Sequence, residues 1–111
     1  MIPLRLLCAA ELQEGASRGI DCEVAGRHTS LMVIRRGKLY AYLNSCPHTG
    51  VPLEWLPHQF LDASGSYIQC ATHGALFQIE DGLCIRGPCA GAHLKPVQVA
   101  ERDGQLYLDS L

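Results

Sequence analysis

Hydrophobic positions along this chain come in short runs cut by glycine, proline and charged residues, and no segment holds a helical period. Runs of this length bounded by turn residues read as strands. "PLRLLCA" (3–9) is the first of them. In "GIDCEVAG" (19–26), Ile20, Cys22 and Val24 recur at every second position and so fall on one face. "TSLMVIRRGKLYAYLN" (29–44) has the form of a hairpin, two β-rich runs joined at "RRGK", where Gly37 supplies a positive backbone angle. A longer irregular segment follows, "GVPLEWLPHQFLDASG" (50–65). Then come two short strand candidates, "SYIQC" (66–70) and "ALFQI" (75–79), with a turn at "EDG" (80–82). "AHLKPVQVAERDGQLYLDSL" (92–111) reads as a second hairpin turning at "RDG". The pattern predicts an all-β protein with little helix, no internal repeat and no linker.

Length narrows this to one domain over residues 1–111, because a chain of this size builds one real core. The composition is that of a globular protein, 48% hydrophobic and 18% charged. A formal net charge of -2 lacks the basic stripe that nucleic-acid binding requires. The opening "MIPLRLLCAAELQEG" carries Arg5 inside a short apolar run and has no basic region ahead of it, which does not fit a signal peptide. Nor does any stretch approach the ~18 consecutive apolar residues of a membrane span. The expected location is the cytoplasm.

In a reducing compartment, six cysteines point to metal binding or core packing rather than disulfides. Cys46 and Cys70 stand apart from the rest, because each has a histidine beside it: "CPHTG" (46–50) and "CATHG" (70–74). The two pairs, C-x-H and C-x-x-H, are separated by 21 residues, and each is followed by a glycine that lets the backbone turn tightly. Both lie at the ends of predicted strands, so a rigid scaffold would present them together. Taken singly, such a histidine is a solvated loop residue and such a cysteine a small core residue. Taken together, Cys46, His48, Cys70 and His73 make a four-ligand set. Structural zinc accepts two cysteines and two histidines, but usually spaces paired ligands by two to four residues. The single proline between Cys46 and His48 suits a dinuclear cluster better, where neighbouring side chains reach different metals.

"CPHTG", "CATHGALF" and then "DGLCIRGP" closely resemble the Rieske [2Fe–2S] proteins, in particular the small ferredoxins of that type, over roughly residues 30–110. The resemblance implies a Rieske fold of antiparallel sheets or a sandwich, with a small cluster-binding subdomain near 45–88. It implies one [2Fe–2S] cluster, with Cys46 and Cys70 on one iron and His48 and His73 on the other. It also makes "GPC" (87–89) a proline loop covering the cluster from a third side. Two ferric ions, two sulfides and two thiolates sum to zero with neutral histidines, so reduction leaves a single negative charge. A four-cysteine cluster starts at two negative charges, so histidine ligation raises the potential, into a range of about −150 to +300 mV. High-potential relatives carry serine and tyrosine donors where this chain has Ala75 and Phe77, and a disulfide where it has Val51 and Thr72. Missing donors and a missing bridge place this chain low, roughly −150 to −50 mV.

The function implied is one-electron transfer, as a non-catalytic carrier, from a reductase to a terminal oxygenase or reductase. Such partners touch transiently through small contacts, and the carrier itself is a monomer. A small Rieske subunit of a nitrite-reductase-like complex and a structural zinc module are the alternatives. An oxygenase in its own right would need a second iron on two histidines and a carboxylate, and the remaining histidines are scattered. His28 and His93 read as surface turn residues, and His58 lies between the two motifs. Cys8 and Cys22 read as core thiols; Cys84 and Cys89 could pair with each other, and in a reducing compartment read as buried thiols. Trp55, Leu53 and Leu76 are candidates for an apolar collar around exposed histidines, Trp55 equally for the core.

Overall fold

A computed structural model of the chain describes residues 4–47, 50, 52–54, 56, 58–71 and 74–111. They form nine strands in three antiparallel three-stranded sheets, and the only helical element among them is a single 3-10 turn, Ala9–Glu11. β2 (Ser17–Val24), β3 (Arg27–Arg36) and β4 (Lys38–Leu43) make one sheet in chain order. β1 (Leu4–Cys8), β9 (Gln105–Ser110) and β8 (Gln98–Arg102) make the second, with β9 central. β5 (Tyr67–Gln69), β6 (Leu76–Gln78) and β7 (Cys84–Arg86) make the third and smallest.

Both hairpins expected from the pattern are present, the first turning at Gly37 with φ 76° between the paired Arg36 and Lys38. The second turns at Asp103 and Gly104, both at positive φ, as the primed hairpin turns require. A third hairpin, β2 to β3, turns at Ala25 and Gly26 with φ 53° and 78°. Alanine gives little sign of a left-handed residue, so that turn had no clear signature. β7 was also unforeseen as a strand. It has three residues, of which only Cys84 is buried, so it shows no alternation to read.

β3 organises the interior. Leu31, Met32, Val33 and Ile34 are all fully buried, because the strand has a core on each face. Leu31 and Val33 join Leu7, Leu12, Ala41, Val97, Leu106 and Leu108 beneath the first and second sheets. Ile20, Cys22 and Val24 pack against that group, as their alternation predicted. Met32 and Ile34 face the opposite core with Tyr42, Ile68, Phe77, Ile79 and Leu94. The strand's period of two thus divides one apolar run between two cores.

Tyr42 ties the large sheet to the small one. Its hydroxyl donates to the Ile79 carbonyl at 2.6 Å across the second core. Burial, then the charges of Asp81, Glu80 and Tyr40, push this phenol up to about 12. Gly82 makes room for the ring: a Cβ there, at φ 74°, would stand 2.8 Å from a Tyr42 ring carbon. Along β4, Leu43 N–H donates to the Lys95 carbonyl, and Val97 N–H donates to Ala41, so the chain entering β8 is stitched to the same strand.

Candidate metal centre

The two Cys/His motifs occupy loops of matching construction. In the first, the Gly50 N–H donates to the Cys46 carbonyl at 2.7 Å; in the second, the Gly74 N–H donates to Cys70 at 2.8 Å. Each glycine has positive φ, 77° and 70°, with open space where a Cβ would be. A left-handed glycine four residues after the cysteine closes each loop in the same way. The second loop is also closed from the other side, since Cys70 N–H donates to Ala75 at 2.9 Å. The two loops touch directly: Ala71 N–H donates to the Leu53 carbonyl at 2.8 Å.

Cys46 and Cys70 are buried, 2% and 0% exposed, and both belong to the core that holds Ile68, Phe77 and Leu94. Sulfur ligands set into an apolar floor fit a cluster whose oxidised form carries no net charge, since a low-dielectric bed penalises charge most. His48 and His73 lie outside the described residues, as do Val51, Thr72 and Trp55. The two thiols that the structure does describe are of the right chemistry for a [2Fe–2S] group and share one buried core.

The glycine-proline loop follows β7. Gly87 has φ 107°, and a Cβ on it would lie 2.8 Å from the Ala75 Cα and 2.9 Å from its Cβ. This loop therefore lies flat on Ala75, two residues beyond His73. Next to it, Cys89 Sγ donates to Cys84 Sγ at 3.1 Å, and Cys84 Sγ donates to the Arg86 carbonyl at 3.3 Å. Burial, the hydrogen bond to Cys84, and the charges of Cys84 and Cys46 push the Cys89 thiol up to about 12. It stays protonated and adds no charge beside Cys46. These two cysteines are core thiols, as expected.

Several expectations need correction. Leu53 is fully buried in the core and Leu76 is half-buried, while the histidines they were expected to surround lie outside the described residues. Cys8 lies at the rim, within 3.4 Å of an Arg5 guanidinium nitrogen, and is not a core residue. His28 sits within β3 and not in a turn, its side chain 72% exposed and 3.8 Å from Asp21. His58 has a structural task that its surroundings in sequence did not show. At φ 68° it turns the segment between the loops, accepts from Gly19 N–H through Nδ1 at 3.1 Å, and accepts from Ser17 Oγ through its carbonyl at 2.7 Å. Asn44, two residues before Cys46, was also missed; its single signal was a polar residue at the end of an apolar strand.

All-β architecture, two cysteine-bearing loops of matching construction and a glycine-proline loop resting on Ala75 fit an iron–sulfur electron carrier. A family model described as the Rieske [2Fe-2S] domain matches residues 4–102, and the chain belongs to that family. Its cofactor is accordingly one [2Fe–2S] cluster, and the zinc reading falls away. No curated protein matches it by sequence. Among solved structures it is similar to the ferredoxin of carbazole 1,9a-dioxygenase from Nocardioides aromaticivorans IC177, with a TM-score of 0.75, 22% identity and all of both chains covered. It is similar to Sphingomonas yanoikuyae B1 ferredoxin as well, at TM-score 0.73 and 24% identity, over 98% of this chain and 99% of that one. A third similar chain comes from a complex of reduced oxygenase and oxidised ferredoxin in carbazole 1,9a-dioxygenase, with a TM-score of 0.74 and 26% identity, covering 99% of this chain and 96% of the other. Among the described residues, no helix is long and apolar enough to cross a membrane.

Proposed function

We propose that this protein is the ferredoxin component of a multicomponent oxygenase system, taking single electrons from a reductase and passing them to a terminal oxygenase. The observation that carries the reading is the pair of matched loops, each closed by a left-handed glycine and each setting one cysteine into a common apolar floor. Cys46 and Cys70 hold one iron and His48 and His73 the other, as the family pattern assigns these positions. The bound cluster supplies reversible one-electron chemistry.

The chain's own residues set the terms of that chemistry. Ala75 and Phe77 offer apolar side chains, 1% and 0% exposed, where hydroxyl donors would stabilise the reduced state. Cys89 remains a neutral thiol near Cys46. The whole chain acts as one Rieske domain, monomeric, with residues near 45–88 as its cluster-bearing part, and it works in the reducing cytoplasm. It transforms no substrate itself. The complex of oxygenase and ferredoxin in which a 26%-identical chain was solved supports the acceptor class. Rapid mixing tests it. The reduced protein should be oxidised by a Rieske-type ring-hydroxylating oxygenase far faster than by a buffer blank, with bleaching and recovery of the cluster absorbance. Equal rates with and without oxygenase would refute the acceptor assignment.

A further inference from the structure

Asn44 carries a buried side-chain amide, at 8% exposed. Every polar atom of its side chain is used. Oδ1 accepts from Leu53 N–H at 2.9 Å, while Nδ2 donates to Ser30 Oγ at 3.2 Å and to Glu54 Oε1 at 2.7 Å. Its backbone N–H donates to the Ser30 carbonyl at 2.9 Å. A carboxylate accepts only and a backbone N–H donates only, so these partners fix which end of the amide is nitrogen. The amide cannot be reversed or replaced by a simple apolar side chain without orphaning a buried group.

Its placement gives the network a purpose. Asn44 stands at the entrance of the first ligand loop and Leu53 at its exit, so one side chain fixes the separation of the two stems. Leu53 then uses its carbonyl to hold Ala71, the neighbour of Cys70. A continuous chain of hydrogen bonds thus runs from β3 at Ser30, through Asn44 and Leu53, to the second ligand loop. β2 seats the far end, because Gly19 leaves room for Glu54: a Cβ there would lie 3.1 Å from Glu54 Oε2.

We propose that Asn44, braced by Glu54 and Ser30, is the positioning residue that sets the separation of the two ligand loops and so the geometry of the cluster they hold. It rests on the cluster-carrier reading; iron and labile sulfide in the wild-type protein, assayed first, test that reading by itself. The decisive experiment reverses the polarity of the Asn44–Glu54 bond. Asn44→Asp keeps the acceptor for Leu53 but sets two carboxylates against each other, and should speed iron loss to a chelator about tenfold or more. It should also alter the line shape of the reduced-state EPR spectrum. Adding Glu54→Gln restores a donor–acceptor pair in the opposite sense, so the double variant should recover both the wild-type spectrum and the slow iron loss. A double variant no better than Asn44→Asp overturns the proposal, as does an Asn44→Asp protein that matches wild type in both measurements. If Asn44→Asp does not fold, Glu54→Ala removes the brace alone; faster iron loss with an altered spectrum supports the proposal, and wild-type behaviour overturns it.

Discussion

Gly87→Ala should unseat the loop that lies on Ala75. Two effects act against the new methyl group. The backbone at φ 107° lies where L-residues are strained, at about 1–3 kcal/mol. The methyl would also stand 2.8 Å from the Ala75 Cα, a backbone atom that cannot swing aside, and overpacking of this kind costs about 1–3 kcal/mol more. Together these come to roughly 2–6 kcal/mol, which at about 4 °C per kcal/mol lowers Tm by roughly 8–24 °C. Gly91 supplies the control, since it has φ 94° with nothing within 4 Å of its Cβ position. Gly91→Ala carries the strain without the overlap and should lose roughly 4–12 °C. Thermal melts of both variants by circular dichroism, at one scan rate, separate the two effects. If Gly87→Ala melts no lower than Gly91→Ala, the contact with Ala75 is not tight and the covering role of this loop is wrong.

Direct voltammetry of the holoprotein should give a negative midpoint near neutral pH, and Ala75→Ser with Phe77→Tyr should raise it. A wild-type value above about +100 mV would contradict the missing-donor argument. Tyr42→Phe leaves the buried Ile79 carbonyl without its 2.6 Å partner, so chemical denaturation should show a loss of about 1–3 kcal/mol. Asp62 titrates below its ordinary 3.8: burial raises it, but this is outweighed by hydrogen bonds from Ser64 and from the backbone of Tyr67, Ser66 and Gly65. A depressed carboxylate stabilises fully above its unfolded pKa and loses that contribution as pH falls through the folded one. Asp62→Asn should therefore flatten the fall in Tm below pH 4 relative to wild type, and an unchanged acid limb would show that the Asp62 turn contributes nothing.

Much of the scaffold was legible because period-two patterning and glycine turns are local signals. "LMVI" in β3 reads as a buried strand with no knowledge of its neighbours, and Gly37 and Gly104 mark their turns by residue type. The two candidate loops stood out for a different reason, since cysteine and histidine at such spacing have few other uses. What escaped notice depends on contacts distant in sequence. β7 acquires strand geometry from its pairing with β6, the tasks of His58 and Asn44 lie in partners 39 and 14 positions away in Gly19 and Ser30, and Leu53 is buried by elements on both sides of it. Cys8 misled because alternation in an edge strand identifies a face without saying what covers it.

The double-sided burial of β3 bears on protein engineering. A lobe of residues 45–88 resembles a cassette that could be lifted out and grafted elsewhere. Its core, however, is completed by Met32, Ile34 and Tyr42, which belong to the large sheet. Excising the lobe would strip it of one wall, and the sheet left behind would turn the same three side chains to water. That lobe and the sheet beneath it share one core, and a transplant has to carry both.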